Sequence, residues 1–344
     1  MTKIRTGLLA YGMSGKVFHA PFVATHPGFE LTAVTERSRK EAQRQYPAVV
    51  SYDSVEALLA DDSLELIVVN TPSNTHADFT RQALLAGKHV LLEKPVATSP
   101  DEVRDLWGLA RQQGKHLLAY QNRRWDSDFQ LVKHVVESGQ LGQLIEVTFR
   151  YDRFKTTLNP KPFKETPLPG SGLPYDLGPH LLDQAISLFG QPLQSRKTAG
   201  RFRAGTRVDD YFSIQLLYPN FTVTVASGLL IADPLPAFVL HGTQGSFRKT
   251  RGDVQEAQLI SGLSPLAPEY GLEPADQAGV LTVAGGNDVK TTTVLPTAKG
   301  DYTGLFEAVY QTIRNNVPYP IREEQLLWQN EILAQADDKV WTLY

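Results

Sequence analysis

The chain has 344 residues, no cysteine, and 34 basic against 37 acidic side chains, for a formal charge of −3. That length exceeds one ordinary core and points to two domains, and a composition of 42% apolar and 21% charged residues is that of a globular protein. The charge excludes a broad basic field for nucleic acid. The missing cysteines exclude disulfides, thiolate metal sites and cysteine nucleophiles, and no apolar run nears the ~18 residues of a membrane helix. The apolar stretch before Gly12 is too short and broken for a signal peptide, so a protein of the reducing cytoplasm is expected.

In chain order, residues 4–9 read as an apolar strand and residues 12–26 as a helix. Residues 29–35 alternate like a strand, 38–46 are charged and helix-prone, and 49–52 form a short strand. Asp53 and Glu56 have the spacing of a capping box that opens a helix through Leu59. Residues 66–70 (Leu-Ile-Val-Val-Asn) are a buried-strand run and residues 75–86 a helix stopped by Gly87. Residues 89–93 are a strand, 101–113 a helix stopped by Gly114, and 116–120 a further strand. Strands alternating with helices demand right-handed crossovers and a parallel, doubly wound sheet.

After Tyr120 the pattern changes. Residues 126–137 read as a helix, 144–153 as a long strand, 159–172 as a proline-broken loop, and 176–189 as an amphipathic helix. From residue 196 to about 240 alternating segments follow, two of them joined by the turn at Pro219-Asn220, which implies antiparallel pairing. Residues 242–300 are rich in glycine and proline and read as irregular; residues 302–315 and 323–338 read as helices. The expected organisation is an α/β chain with a parallel sheet in residues 1–121 and a second domain in residues 122–344.

The first strand runs into Ala10-Tyr11-Gly12-Met13-Ser14-Gly15, which is G-x-G-x-x-G with Ala10 in place of the first glycine. In such a turn the glycines let backbone approach a diphosphate, which sits on a helix N-terminus; Gly12, Met13, Ser14 and Gly15 are therefore candidate dinucleotide contacts. Alanine serves at the first position where no positive φ is needed. Glu36, 21 positions after Gly15, is placed to accept hydrogen bonds from ribose hydroxyls, as an NAD site requires. Arg37 argues the other way, since it would attract the 2′-phosphate of NADP. NAD is favoured on Glu36. The run Asn70-Thr71-Pro72-Ser73-Asn74-Thr75-His76 closes the fourth strand at the ligand edge of a parallel sheet, which makes Thr71, Pro72, Asn74 and His76 further candidates.

Glu93-Lys94-Pro95 closes the fifth strand at the same edge, where a lysine donates to a substrate oxygen and stabilises alkoxide charge. Asp176 and His180 stand at i and i+4, one face of a helix, with His180 suited to general-base work and Asp176 to orienting it. Each of these has a plain alternative: a surface Lys-Pro step, a helix-capping aspartate with a core histidine one turn on, or a metal set of Asp176, His180 and Asp183. No metal is expected. Gln121, Arg124 and Trp125, with Arg153 at the end of the long strand, suit a polyhydroxylated ring. His19, His26, His89, His116 and His134 have no partner pattern and read as bystanders.

The glycine turn, the Glu93-Lys94-Pro95 motif and the Asp176-to-His180 pair occur in the order of a known family. The chain resembles the glucose–fructose oxidoreductase / inositol dehydrogenase family (Gfo/Idh/MocA) over nearly its whole length. Gly15-Lys16-Val17-Phe18-His19-Ala20-Pro21, Arg123-Arg124-Trp125-Asp126, Tyr175-Asp176-Leu177-Gly178-Pro179-His180 and His241-Gly242-Thr243-Gln244-Gly245-Ser246-Phe247 resemble its branch of scyllo-inositol dehydrogenases. The resemblance implies a Rossmann domain followed by a large, open, mostly antiparallel sheet, one face of which often serves homo-oligomerisation. It implies that Lys94, Asp176 and His180 act at a polyol or sugar. An NAD-dependent glycoside hydrolase and a non-catalytic dinucleotide sensor are the rival functions.

Overall fold

The computed structural model describes residues 2–297 and 299–343. Among them the chain divides into two compact units, each built on one sheet. The first unit runs to Asn122 and takes in Gln255–Tyr270 and Asp301–Leu326; the rest of the described chain forms the second.

The first sheet contains β1 (Ile4–Leu8), β2 (Phe29–Thr35), β3 (Val50–Tyr52), β4 (Leu66–Val69), β5 (His89–Glu93) and β6 (Leu117–Tyr120). Its order is β3-β2-β1-β4-β5-β6 and every pairing is parallel. Parallel strands are covered by crossover helices on both faces, which is why all of β4 is buried and apolar. The order reverses between β1 and β4, and at such a reversal the strand ends leave a ligand crevice.

Three local expectations change. The helix expected over residues 12–26 divides into the wider turn Gly15–His19 and the helix Ala20–Thr25. Ser54, not Asp53, caps the helix Val55–Leu59, accepting from the Ala57 N–H at 3.1 Å, while Asp53 pairs with Lys40 at 2.7 Å. The helix expected over residues 38–46 shrinks to Ala42–Gln45, because a side chain of the preceding strand's end takes the N–H groups at its start.

The second sheet contains β7 (Leu144–Arg150), β8 (Gln194–Arg201), β9 (Tyr211–Leu217), β10 (Thr222–Gly228), β11 (Phe238–Gly242), β12 (Gly245–Lys249), β13 (Gly279–Ala284), β14 (Lys290–Leu295) and β15 (Lys339–Thr342). Its order is β14-β13-β12-β11-β7-β10-β9-β8-β15, antiparallel except for β7 with β10 and β8 with β15. Alternation sets its buried face: Val147 and Phe149, Phe212, Ile214 and Leu216, Val223 and Val225 join Leu181, Leu182, Ala185 and Ile186 of the helix Gly178–Phe189 in one core. Residues 242–300, expected to be irregular, thus supply three strands.

The second domain is not the uninterrupted block expected for residues 122–344. Gln255–Tyr270 and Asp301–Leu326 pack with the first unit. The ring of Phe22 stacks on Phe306 at 5.0 Å, and Tyr270 and Tyr302 lie 6.2 Å from it. Burying four aromatic side chains together outweighs their separation in sequence.

Candidate functional site

The dinucleotide turn lies where β1 runs out. A Cβ on Gly15 would stand 2.2 Å from the Ala10 carbonyl oxygen and 3.1 Å from Asn70 Nδ2, so only glycine lets the helix start press against the turn. A Cβ on Gly12 would meet no protein atom within 4 Å, and glycine there keeps the approach to the backbone clear, as a diphosphate needs. Ala10 is not among the described residues with positive φ, so alanine fits the place of the first glycine. Asn70, buried at the end of β4, clamps this turn. Its Nδ2 donates to the Ala10 carbonyl at 2.8 Å and its Oδ1 accepts from the Ala10 N–H at 3.0 Å. Sequence reasoning missed Asn70 as a site residue; a polar side chain ending an apolar buried strand was the available signal. Met13 is exposed at the rim.

Glu36 follows β2 directly but does not face outward. Its Oε1 accepts from the N–H groups of Glu41 (2.8 Å) and Ala42 (3.2 Å), and its Oε2 from Ser51 Oγ (2.7 Å), in a position 7% exposed. The carboxylate expected at a ribose is thus committed to its own chain, while Arg37, Ser38 and Arg39 beside it are exposed. Beyond the end of β4, Thr71 Oγ1 shares a hydrogen bond with Thr75 Oγ1 at 2.8 Å, Pro72 is exposed and Asn74 lies beside it, also exposed. His76 is a buried strut: Nδ1 stands 2.8 Å from the Pro95 carbonyl and Nε2 2.9 Å from that of Thr71. Burial lowers its pKa, against the pull of both carbonyls. It braces the two loops and offers no surface to a ligand.

Glu93, at the end of β5, gathers the turn and the lysine. Its Oε1 accepts from Ser14 Oγ at 2.8 Å and lies 2.9 Å from His19 Nε2; its Oε2 accepts from the Lys94 N–H at 3.2 Å. Burial alone would raise the Glu93 carboxyl, but the hydrogen bond and charge of His19, then Ser14 and Lys94, hold it below its ordinary value. The structure therefore brings Ser14, Glu93 and Lys94 together and adds His19. The Lys94–Pro95 peptide is cis. Gln121 follows β6 and is 2% exposed.

The remaining candidates belong to the second unit. Asp176 and His180 do not share one unbroken helix: Asp176 ends Leu173–Asp176, and His180 lies in Gly178–Phe189. Pro179 has no N–H to continue the ladder, which accounts for the break at Leu177. Asp176 is 41% exposed, with Lys164 Nζ 3.9 Å from its Oδ1; His180 is 4% exposed. Asp183 is committed to a two-pronged ion pair with Arg124, at 2.7 and 2.8 Å, and accepts from Gln329 at 2.9 Å, which counts against its use as a metal ligand. Arg124 accordingly fastens the chain after the unit boundary to the helix Gly178–Phe189, a different task from the ring contact expected of it. Trp125 is half-buried and Arg153 is exposed.

Residues 4–121 match the Gfo/Idh/MocA oxidoreductase family, NAD-binding Rossmann fold, and residues 129–248 match the family's C-terminal domain. The chain is 37% identical to the Schizosaccharomyces pombe protein named uncharacterized oxidoreductase C115.03, over 98% of this chain and 97% of that one. It is 30% identical to scyllo-inositol 2-dehydrogenase (NADP(+)) IolW of Bacillus subtilis, over 94% of this chain and 89% of that one. The solved structure of oxidoreductase yvaA from Bacillus subtilis superposes with a TM-score of 0.93 at 30% identity, covering 96% of this chain and 94% of that chain. Likeness of this extent runs through both units and through the glycine turn and strand end just described; the chain belongs to the Gfo/Idh/MocA oxidoreductase family and carries its NAD(P)-binding Rossmann domain.

Proposed function

We propose that the protein is an NADP-dependent dehydrogenase acting on a hydroxyl-bearing carbon of a cyclic polyol or sugar, in a cytoplasmic setting. The observation that carries the reading is the Glu93 carboxylate, which fastens Lys94 to Ser14 of the dinucleotide turn. A lysine so placed suits work on the oxygen of the carbon that exchanges hydride. Bound nicotinamide supplies the hydride acceptor or donor. The N–H groups of the Gly12-to-Gly15 turn hold the diphosphate. His180 takes the hydroxyl proton, Lys94 stabilises the alkoxide charge, and Asp176 orients the histidine or the substrate.

The preference for NADP over NAD rests on Glu36. With its carboxylate turned onto residues 41, 42 and 51, it is drawn away from a ribose and its charge is partly offset by the N–H groups it holds, and Arg37 and Ser38 are left to receive a phosphate. The name of the Bacillus subtilis relative, which specifies NADP(+), agrees with this. Titration with NADPH and NADH, followed by nicotinamide fluorescence, is expected to give tighter binding of NADPH. Arg37→Ala is expected to weaken NADPH by about 10- to 100-fold, the value of hydrogen bonds to a charged group, and to leave NADH nearly unchanged. Tighter NADH binding overturns the cofactor choice. A panel of inositols and sugars with the preferred oxidised cofactor then tests the reaction by growth of nicotinamide absorbance. Glycoside cleavage without net NADPH identifies the transient-redox hydrolase, and binding without any conversion identifies a sensor.

The chain is further proposed to form homo-oligomers through the open face of the second sheet. At one end of that face a groove of about 590 Å³ is lined by Phe202, Tyr211, Leu229, Ile231, Trp341 and Leu343, an apolar surface of the kind subunit contacts cover. Sedimentation at working concentration is expected to show a dimer or tetramer; a monomer removes this part of the reading.

A further inference from the structure

We propose that His19 is a positioning residue that holds the Glu93 carboxylate in place, and through it the backbone of both the dinucleotide turn and Lys94. The proposal rests on the dinucleotide reading of the glycine turn and is independent of the substrate.

His19 lies at the end of Gly15–His19, one turn beyond Ser14, and is fully buried. Its ring packs on Tyr120 at 4.4 Å and meets the edge of Phe306 at 6.2 Å, so the imidazole has one orientation available. That orientation aims Nε2 at Glu93 Oε1, 2.9 Å away. Nδ1 is buried without a hydrogen-bond partner. Nε2 is therefore the ring atom that ties His19 to the Glu93 carboxylate.

The arrangement makes Glu93 a three-way junction. One oxygen receives Ser14 and His19 from the helix start, and the other receives the Lys94 N–H from its own strand end. Each contact limits the others: a carboxylate that rotates to follow one donor leaves the second. His19 is the member fixed by aromatic packing. Without it the carboxylate keeps its charge but loses its anchor, next to backbone that must accept a diphosphate. A negative group freed at that place opposes a second one binding. Two other charged groups on the surrounding elements are engaged elsewhere, and the Lys94 charge acts on Glu93 as well. Lys16, on the same helix start, pairs with Glu41, and Glu307, on Thr303–Asn315, with His26. Lys94 follows Glu93 directly, and Tyr120 gives its hydroxyl to the Phe18 carbonyl at 3.0 Å. Ser14 is the other side chain that donates to the same Glu93 oxygen as His19.

The test measures the NADPH dissociation constant of the full chain by nicotinamide fluorescence, with a thermal melt on each protein, for wild type, His19→Leu, His19→Gln, Glu93→Gln and the His19→Leu/Glu93→Gln double variant. His19→Leu is expected to weaken binding by about tenfold or more, the loss of one charge-assisted hydrogen bond. His19→Gln, which keeps a donor but not the ring, is expected to recover part of that loss. In the Glu93→Gln background His19→Leu is expected to add little, because the effect passes through the carboxylate. Unchanged binding in His19→Leu, or the same loss with and without the Glu93 carboxylate, overturns the proposal. Should His19→Leu fail to fold, the comparison of His19→Gln with Glu93→Gln decides: additive losses in their combination also overturn it. None of these measurements needs a substrate, so the role of His19 stands or falls apart from whether any polyol is turned over.

Discussion

His180→Ala is expected to lower kcat by about 10²- to 10⁴-fold, the range for removing a general base, while the NADPH dissociation constant stays close to wild type. The two effects separate by proposed role, the histidine handling the hydroxyl proton and the glycine turn the diphosphate. His180 is carried by the helix Gly178–Phe189 of the second unit, and the Gly12-to-Gly15 turn by the first. Lys94→Met is expected to lower kcat as severely, because it removes the charge that stabilises an alkoxide, while the backbone N–H that meets Glu93 is retained and cofactor binding changes little. Steady-state rates with the best polyol, beside fluorescence titration, provide both numbers. A His180→Ala enzyme with near-normal turnover removes this residue from the chemistry and returns it to the core that surrounds it.

The second large effect concerns stability. Lys249 and Glu273 form a salt bridge at 2.8 Å with both side chains wholly buried, and Ser127 donates to the same carboxylate. Breaking such a pair by removing one partner leaves an uncompensated buried charge, so Lys249→Met is expected to cost about 3–5 kcal/mol, read by urea denaturation. Replacing both partners is expected to recover much of this, because an apolar pair avoids the desolvation that the ions suffer. The pH dependence has a definite sign. Burial, opposed by Lys249 and Ser127, holds the Glu273 carboxyl above its ordinary value. A carboxyl raised in the folded state binds its proton more tightly there than in the unfolded chain. Its contribution is therefore full below the unfolded pKa and is lost as pH rises through the folded one. Removing the ammonium raises the carboxyl further, so the deficit of Lys249→Met is expected to widen as pH rises above the ordinary carboxylate range. A deficit below about 1 kcal/mol, or one that narrows with pH, shows that water reaches the pair.

The parallel sheet was legible because its strands are short, β4 is apolar throughout, and helices with recognisable stops separate them, as at Gly87 and Gly114. The strands β12 to β14 were not, since glycine and threonine there serve packing. Gly279 lies under the Phe247 ring, where a Cβ would stand 2.7 Å from it, and Thr291, Thr292 and Thr293 belong to an exposed edge strand. The helix over residues 38–46 was shortened by Glu36, a long-side-chain cap that propensity does not register. Within the site, spacing picked out the turn and the lysine as candidates, because local chemistry dictates those spacings, but it put Asp176 and His180 on one helix that the break at Leu177 divides. It gave the wrong orientation for Glu36 and no role for His19, since an orientation depends on partners: Ser51 lies 15 positions from Glu36, and Glu93 lies 74 from His19.

The first unit closes late. Its aromatic seam needs Tyr270, Tyr302 and Phe306 against Phe22, so the sheet ending at Tyr120 cannot complete its own covering when it leaves the ribosome. Roughly 200 further residues must follow, on the order of 10–40 s at ordinary rates of synthesis, before the last segment of the unit is available. Through that interval Phe22 and Phe29 form an uncovered apolar face on a nascent chain, the kind of surface that chaperones hold. A fragment cut at Asn122 would remain in that condition permanently: it would contain every residue of the glycine turn and still be a poor soluble protein.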